Sequence, residues 1–126
     1  MAVLGTADGA RVVSPALEVV VDGWFDFDAK YGGEPPFVVP APLAPDAAHA
    51  LRSAAVALYD ALGCRGVARV DFFLPEDGVP VFNEINTVPG FTAASQVPRM
   101  FAADGLDHVG LVDLLVTDAA HAAHRP

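Results

Sequence analysis

Residues 67–91 (VARVDFFLPEDGVPVFNEINTVPGF) place Arg69, Asp71, Glu84 and Asn86 inside runs of Val, Phe and Ile, where an ordinary strand pair keeps charge away. Asp77-Gly78 is the dipeptide most typical of a two-residue hairpin loop. With the turn there, Asp71 falls directly opposite Glu84 and Arg69 opposite Asn86. Side chains alternate along a strand, so all four project from one face. A four-residue loop centred on the same dipeptide keeps that register and a three-residue loop breaks it. The other face takes Ala68, Val70, Phe72 and Leu74 with Val81, Asn83 and Ile85, which is core apart from the asparagine. Facing Cβ atoms in an antiparallel pair lie about 4.5–5.5 Å apart, and like charges so placed destabilise the sheet. Asp71 and Glu84 therefore call for a cation. Arg69 can supply it, as a salt bridge on a solvated face. A divalent metal can supply it too, since two carboxylates and an Asn oxygen form a hard-oxygen set suited to Mg²⁺ or Mn²⁺. The following NTVPGF adds Gly90, whose backbone N–H can approach a ligand closely, and this favours the metal reading.

The elements that must position these residues follow from periodicity and punctuation. Residues 2–4 and 16–21 (ALEVVV) read as short β-branched strands, and residues 37–40 (FVVP) as another. Between them, residues 22–36 (DGWFDFDAKYGGEPP) are too rich in Gly, Pro and Asp for a regular element. Aromatics and the Lys30-Tyr31 pair in a loop of that length suggest a functional flap. Residues 46–62 form a helix with Leu51, Ala54, Ala55, Leu58, Ala61 and Leu62 on one apolar face, ended by Gly63. Two further helices are expected at residues 95–103 and 108–123, with Ser95 in position to cap the first.

Composition narrows the class. The chain has 126 residues, a length for one domain, and 53% apolar residues, enough for a real core or for an apolar face meant for another domain. Its net charge of −9, with seven scattered basic residues, argues against nucleic acid or an anionic membrane as partner. No apolar run is long enough to span a membrane. The N-terminal MAVLG lacks the features of a secretory signal, so a cytoplasmic location is expected. Cys64, the single cysteine, excludes an internal disulfide and a thiol-based metal site, and reads as a small buried hydrophobe. The four histidines fall at no ligand spacing.

The segments GCRGVARVDFF, VFNEINTVPGFTAAS and EVVVDGWFDFDAKY together resemble the C-terminal portion of the D-alanine–D-alanine ligases, members of the ATP-grasp superfamily. The resemblance runs from Met1 almost to the C-terminus. It is most specific in Arg-x-Asp, Asn-Glu-x-Asn-Thr-x-Pro-Gly and the Ser five residues beyond that Gly. It implies an α/β fold of the ATP-grasp (α+β) type, with a mostly antiparallel sheet carrying the 46–62 helix on one face and the terminal helices alongside. It also implies a reaction in which ATP phosphorylates one D-alanine carboxylate and the amine of a second D-alanine attacks, giving the dipeptide of the cell wall. By similarity, Asp71, Glu84 and Asn86 hold two Mg²⁺ (or Mn²⁺) ions that bridge the ATP phosphates. Arg69 and the backbone N–H of Gly90 stabilise an oxyanion. Lys30 reaches the terminal phosphate, and Tyr31 and Ser95 order the second-substrate site. Ser95 and the backbone of Gln96 receive the second carboxylate, and Trp24 and Phe82 lie near the adenine. The full-length family is expected to be homodimeric.

The same resemblance implies N-terminal and central domains that carry the rest of the nucleotide clamp and the first D-alanine site. None of their parts is found in this sequence. The expectation is a C-terminal catalytic lobe over residues 1–126 that does not ligate D-alanine by itself. A non-catalytic remnant or interaction module, and an ATP-grasp carboxylate–amine ligase with another substrate, stand as alternatives.

Overall fold

A computed structural model describes residues 1–20 and 37–123. Its elements are β1 (Ala2–Gly5), β2 (Arg11–Val13), β3 (Glu18–Val19), β4 (Phe37–Val38), α1 (Pro45–Ala61), β5 (Val67–Phe73), β6 (Val81–Asn86), α2 (Gln96–Ala102) and α3 (His108–Ala123). The main sheet is antiparallel throughout, in the order β2-β1-β5-β6, and β3 pairs with β4 in a separate ribbon. The fold is α+β, as the sequence implies.

Strand β1 is buried along its whole length because both faces of the sheet are covered around it. Val3 joins Val13, Ala68, Val70 and the α1 residues Ala55 and Tyr59 in one apolar cluster. Ala2 and Leu4 point the other way, to Val97, Met100 and Phe101 of α2 and Leu111 of α3. The terminal helices thus lie across the sheet from α1. Among the described residues no helix is long and apolar enough to cross a membrane.

Local chemistry explains where α1 starts and stops. Pro45 begins it, where a missing N–H does no harm, and Asp46 sits in the first turn, where the helix dipole favours an anion. Gly63, at φ +64°, reverses the chain. Gly63 N–H then donates to Asp60 O at 3.0 Å and Cys64 N–H to Tyr59 O at 3.0 Å, the paired bonds of a Schellman ending. The buried stripe is Leu51, Ala55 and Tyr59. Ala61 and Leu62, expected on it, are exposed: Ala61 is the last residue of the helix and Leu62 its C-cap, both beyond the last buried turn at Tyr59. Tyr59 takes the inner position instead, donating from its hydroxyl to Gly66 O at 2.8 Å. Cys64 is half-buried at the edge of that cluster.

Three other expectations need correction. Strand β2 was not anticipated; Ser14 extends its pairing, exchanging bonds with Ala2 through its own N–H and its buried Oγ, both at 2.9 Å. Of residues 16–20, only Glu18–Val19 is strand. The hairpin does not turn in two residues at Asp77-Gly78. Its connection runs from residue 74 to residue 80, with Gly78 N–H bonded to Pro75 O at 3.0 Å, so the turn centres on Glu76 and Asp77. That odd length shifts the ladder by one residue, pairing Phe72 with Phe82 and Phe73 with Val81, and a bulge at Asn83 shifts it back. Leu74 and Val81, expected in the core, are exposed because they lie on this outer, shifted part of the hairpin.

Candidate functional site

Beyond the bulge the pairing is the one the site needs: Asp71 opposite Glu84 and Arg69 opposite Asn86. Arg69 also pairs with Ala2, whose side chain belongs to the α2/α3 cluster, so the quartet projects from the face that α2 covers. Arg69 Nε donates to Asp71 Oδ1 at 2.9 Å and Oδ2 at 3.1 Å, and Nη2 donates to Oδ2 at 2.9 Å. Nη2 also lies 3.6 Å from Glu84 Oε1. The like-charged pair is therefore compensated by the arginine, in an arrangement that is two-thirds or more buried at Arg69 and Asp71 and open at Glu84.

The donors are hard oxygens, the chemical type that a divalent cation such as Mg²⁺ or Mn²⁺ takes. Among the described residues no three His, Cys, Asp or Glu side chains cluster as a metal site. Asp71 and Glu84 come as a pair, and the third oxygen would be the amide of Asn86. Its Oδ1 already accepts the Val88 N–H at 3.0 Å, which holds it in place at the start of the loop and leaves a lone pair free. Each carboxylate likewise has more acceptor sites than the arginine uses.

The loop past Asn86 is tied by its own hydroxyls. Ser95 Oγ accepts from Thr92 N–H at 3.1 Å and shares a bond with Thr92 Oγ1 at 2.8 Å. Ser95 stands at the N-cap of α2 but its side chain does not make the cap bond, because Thr92 engages it. A Cβ on Gly90 would sit 3.2 Å from Ser95 Oγ, so the packing of the loop leaves little room for any side chain there. Phe82 meets Phe72 edge-to-face, ring centroids 6.3 Å apart, at the rim of the hairpin. Trp24, Lys30 and Tyr31, with the rest of the expected flap, lie outside the described residues.

One contact escaped sequence reasoning. Arg69 Nη1 donates to Gln96 Oε1 at 3.3 Å, bringing α2 onto the quartet by a side chain rather than a backbone group. Strand alternation carries no trace of it, since it depends on how α2 folds back over β5. The main-chain nitrogen of Met1 donates to Val70 O at 2.8 Å beside the site. Two clefts of about 310 and 320 Å³ open elsewhere, one beside Ser14, His49 and Arg52 and the other beside Arg11, Tyr59 and Cys64; none of the quartet lines either.

Residues 1–117 match the family model described as D-ala D-ala ligase C-terminus. The D-alanine–D-alanine ligase of Streptomyces griseus subsp. griseus is 46% identical over 119 residues, a match covering 93% of this chain and 30% of that protein. Among solved structures, the VanG D-Ala:D-Ser ligase from Enterococcus faecalis is similar at 37% identity and a TM-score of 0.75, over 93% of this chain and 34% of that one. The D-alanine–D-alanine ligase from Coxiella burnetii is similar at 30% identity and a TM-score of 0.78, over 97% and 32%. The chain thus spans about a third of the length of the relatives it matches.

Proposed function

This chain belongs to the D-ala D-ala ligase C-terminus family, and from that premise we propose that it is the C-terminal catalytic lobe of an ATP-dependent D-alanine–D-alanine ligase. The whole enzyme would convert ATP and two D-alanines, through an acyl phosphate, to D-alanyl-D-alanine, ADP and phosphate for peptidoglycan, in the cytoplasm and as a homodimer. The observation that carries this reading is the direct opposition of Asp71 and Glu84 with Arg69 forked onto Asp71. Facing carboxylates cost the sheet stability that Arg69 only offsets, and phosphoryl transfer gives a use for them.

Asp71, Glu84 and Asn86 are the residues that would hold Mg²⁺ or Mn²⁺, two ions with the ATP phosphates. Bound there, the metal supplies charge neutralisation on the transferred phosphoryl group. Arg69 supplies the fixed positive charge for the oxyanion that forms when the second amine attacks, joined by the Gly90 N–H. Ser95 and the Gln96 backbone take the carboxylate of the second D-alanine. Lys30 meets the terminal phosphate, Tyr31 closes over the second-substrate site, and Trp24 and Phe82 border the adenine. The first-substrate site and the opposing jaw of the clamp belong to the N-terminal and central domains of the relatives, so these residues alone form no dipeptide. A second reading keeps the chemistry and changes the second substrate to D-serine, favoured by the likeness to a D-Ala:D-Ser ligase.

Calorimetric titration with Mg²⁺, with and without ATP, on this chain and on Glu84→Ala tests the reading. Binding that needs both ATP and Glu84 supports it. Mg²⁺–ATP binding that is the same in Glu84→Ala removes the proposed metal site.

A further inference from the structure

Arg69 uses its guanidinium in two directions. The Nε and Nη2 edge faces Asp71 and Glu84, and Nη1 turns away to Gln96 Oε1, 3.3 Å distant. We propose that the Gln96 side chain is a positioning residue: its carbonyl oxygen holds Arg69 by Nη1, so that the charged edge stays aimed when the carboxylates turn to another cation. The consequence for turnover rests on the ligase reading; the contact itself does not.

The chemistry of the four groups leads here. A guanidinium held only by carboxylates follows them, and its hold weakens once a divalent cation shares their charge. A neutral amide oxygen is unaffected by that change. A third carboxylate at this place would add charge and draw the arginine or the cation towards itself. The acceptor is also well anchored, because Gln96 opens α2 and the next residues, Val97, Pro98, Met100 and Phe101, are buried. Reach matters as well: Asn is one methylene short, Glu reaches but is charged, and Met fills the space with no comparable acceptor.

The test reads Arg69 directly, by side-chain NMR of the chain. In Gln96→Met, rotation of the Nη1 group is expected to quicken about fivefold, the scale of one half-exposed charged hydrogen bond, while the Nε–H held by Asp71 keeps its shift. Gln96→Asn should behave like Met, and Gln96→Glu should restore slow rotation. Unchanged Nη1 rotation in both Gln96→Met and Gln96→Asn overturns the proposal. In the chain joined to the remaining domains of a ligase, Gln96→Met should lower kcat about fivefold with KM for ATP within twofold. An unchanged kcat there overturns the catalytic consequence. A joined wild-type protein that makes no dipeptide overturns the ligase reading instead, and the NMR result still decides the role of Gln96.

Discussion

Strands β5 and β6 each contribute two residues to one quartet, yet the fold holds them very differently. β5 runs between β1 and β6, with α1 behind it, and its Ala68 and Val70 are fully buried. β6 is the edge strand, its first four residues exposed, with the Glu84 side chain 59% accessible. Arg69 and Asp71 are thus set in place by the core, whereas Glu84 stands where a ligand can approach, with the half-buried Asn86 beside it. An edge strand is normally a liability because it invites further pairing. Here the edge gives access and the inner strand gives rigidity, which is how a site can be prearranged and still reachable.

The sharpest way to break that contrast is to place the same substitution on both strands. Val70→Asp buries an unpaired carboxylate at a site with 0% exposure and should remove at least about 4 kcal/mol of stability, leaving the chain largely unfolded. Val81→Asp, at a residue 49% exposed, should change stability by less than about 1 kcal/mol. Urea denaturation followed by circular dichroism separates the two. Comparable losses would mean that β6 is as firmly held as β5.

A smaller effect tests the anchor behind the inner strands. Tyr59→Phe removes the hydroxyl that donates to Gly66 O and should cost about 1 kcal/mol. Burial pushes the Tyr59 phenol above its usual value, against weaker opposing effects from a hydrogen bond and from Arg11. The folded state therefore favours the protonated form, so that stabilisation is present below the ordinary value of about 10 and is lost as the pH rises above it. Tyr59→Phe should flatten this alkaline loss. A variant that loses stability above pH 10 as steeply as the wild type would assign the loss to another group.

The finest comparison is a pair of double-mutant cycles. Arg69 and Asp71, forked and partly buried, should couple by about 1 kcal/mol, and Arg69 with the open Glu84 by under about 0.5 kcal/mol. Equal couplings would show that Glu84 is held as tightly as Asp71.

How much of this was legible in the sequence depends on which force sets each feature. Helices 45–61, 96–102 and 108–123 were readable within a residue or two, because periodicity and terminal residues both mark them. Strand β2 was not, since three residues show no period, and its place is set by pairing with β1. The facing of Asp71 and Glu84 was read correctly from an incorrect turn: the actual loop has odd length and Asn83 restores the frame. Asn is uncommon in strands, which was the available sign that β6 is irregular. The side-chain role of Gln96, named in the sequence only for its backbone, stayed hidden because its partner comes from packing across the sheet, which no local pattern encodes.

The bulge at Asn83 also separates the hairpin into two lengths of chain that need not be counted together. Removing a single residue from a regular hairpin tip exchanges the two sides of the returning strand and would turn Glu84 away from Arg69. Here a one-residue change at the 74–80 tip has somewhere to be taken up, since gaining or losing the extra residue opposite Asp71 and Phe72 resets the count before the site is reached. A one-residue change of length at the tip is accordingly expected to leave Glu84 facing Arg69.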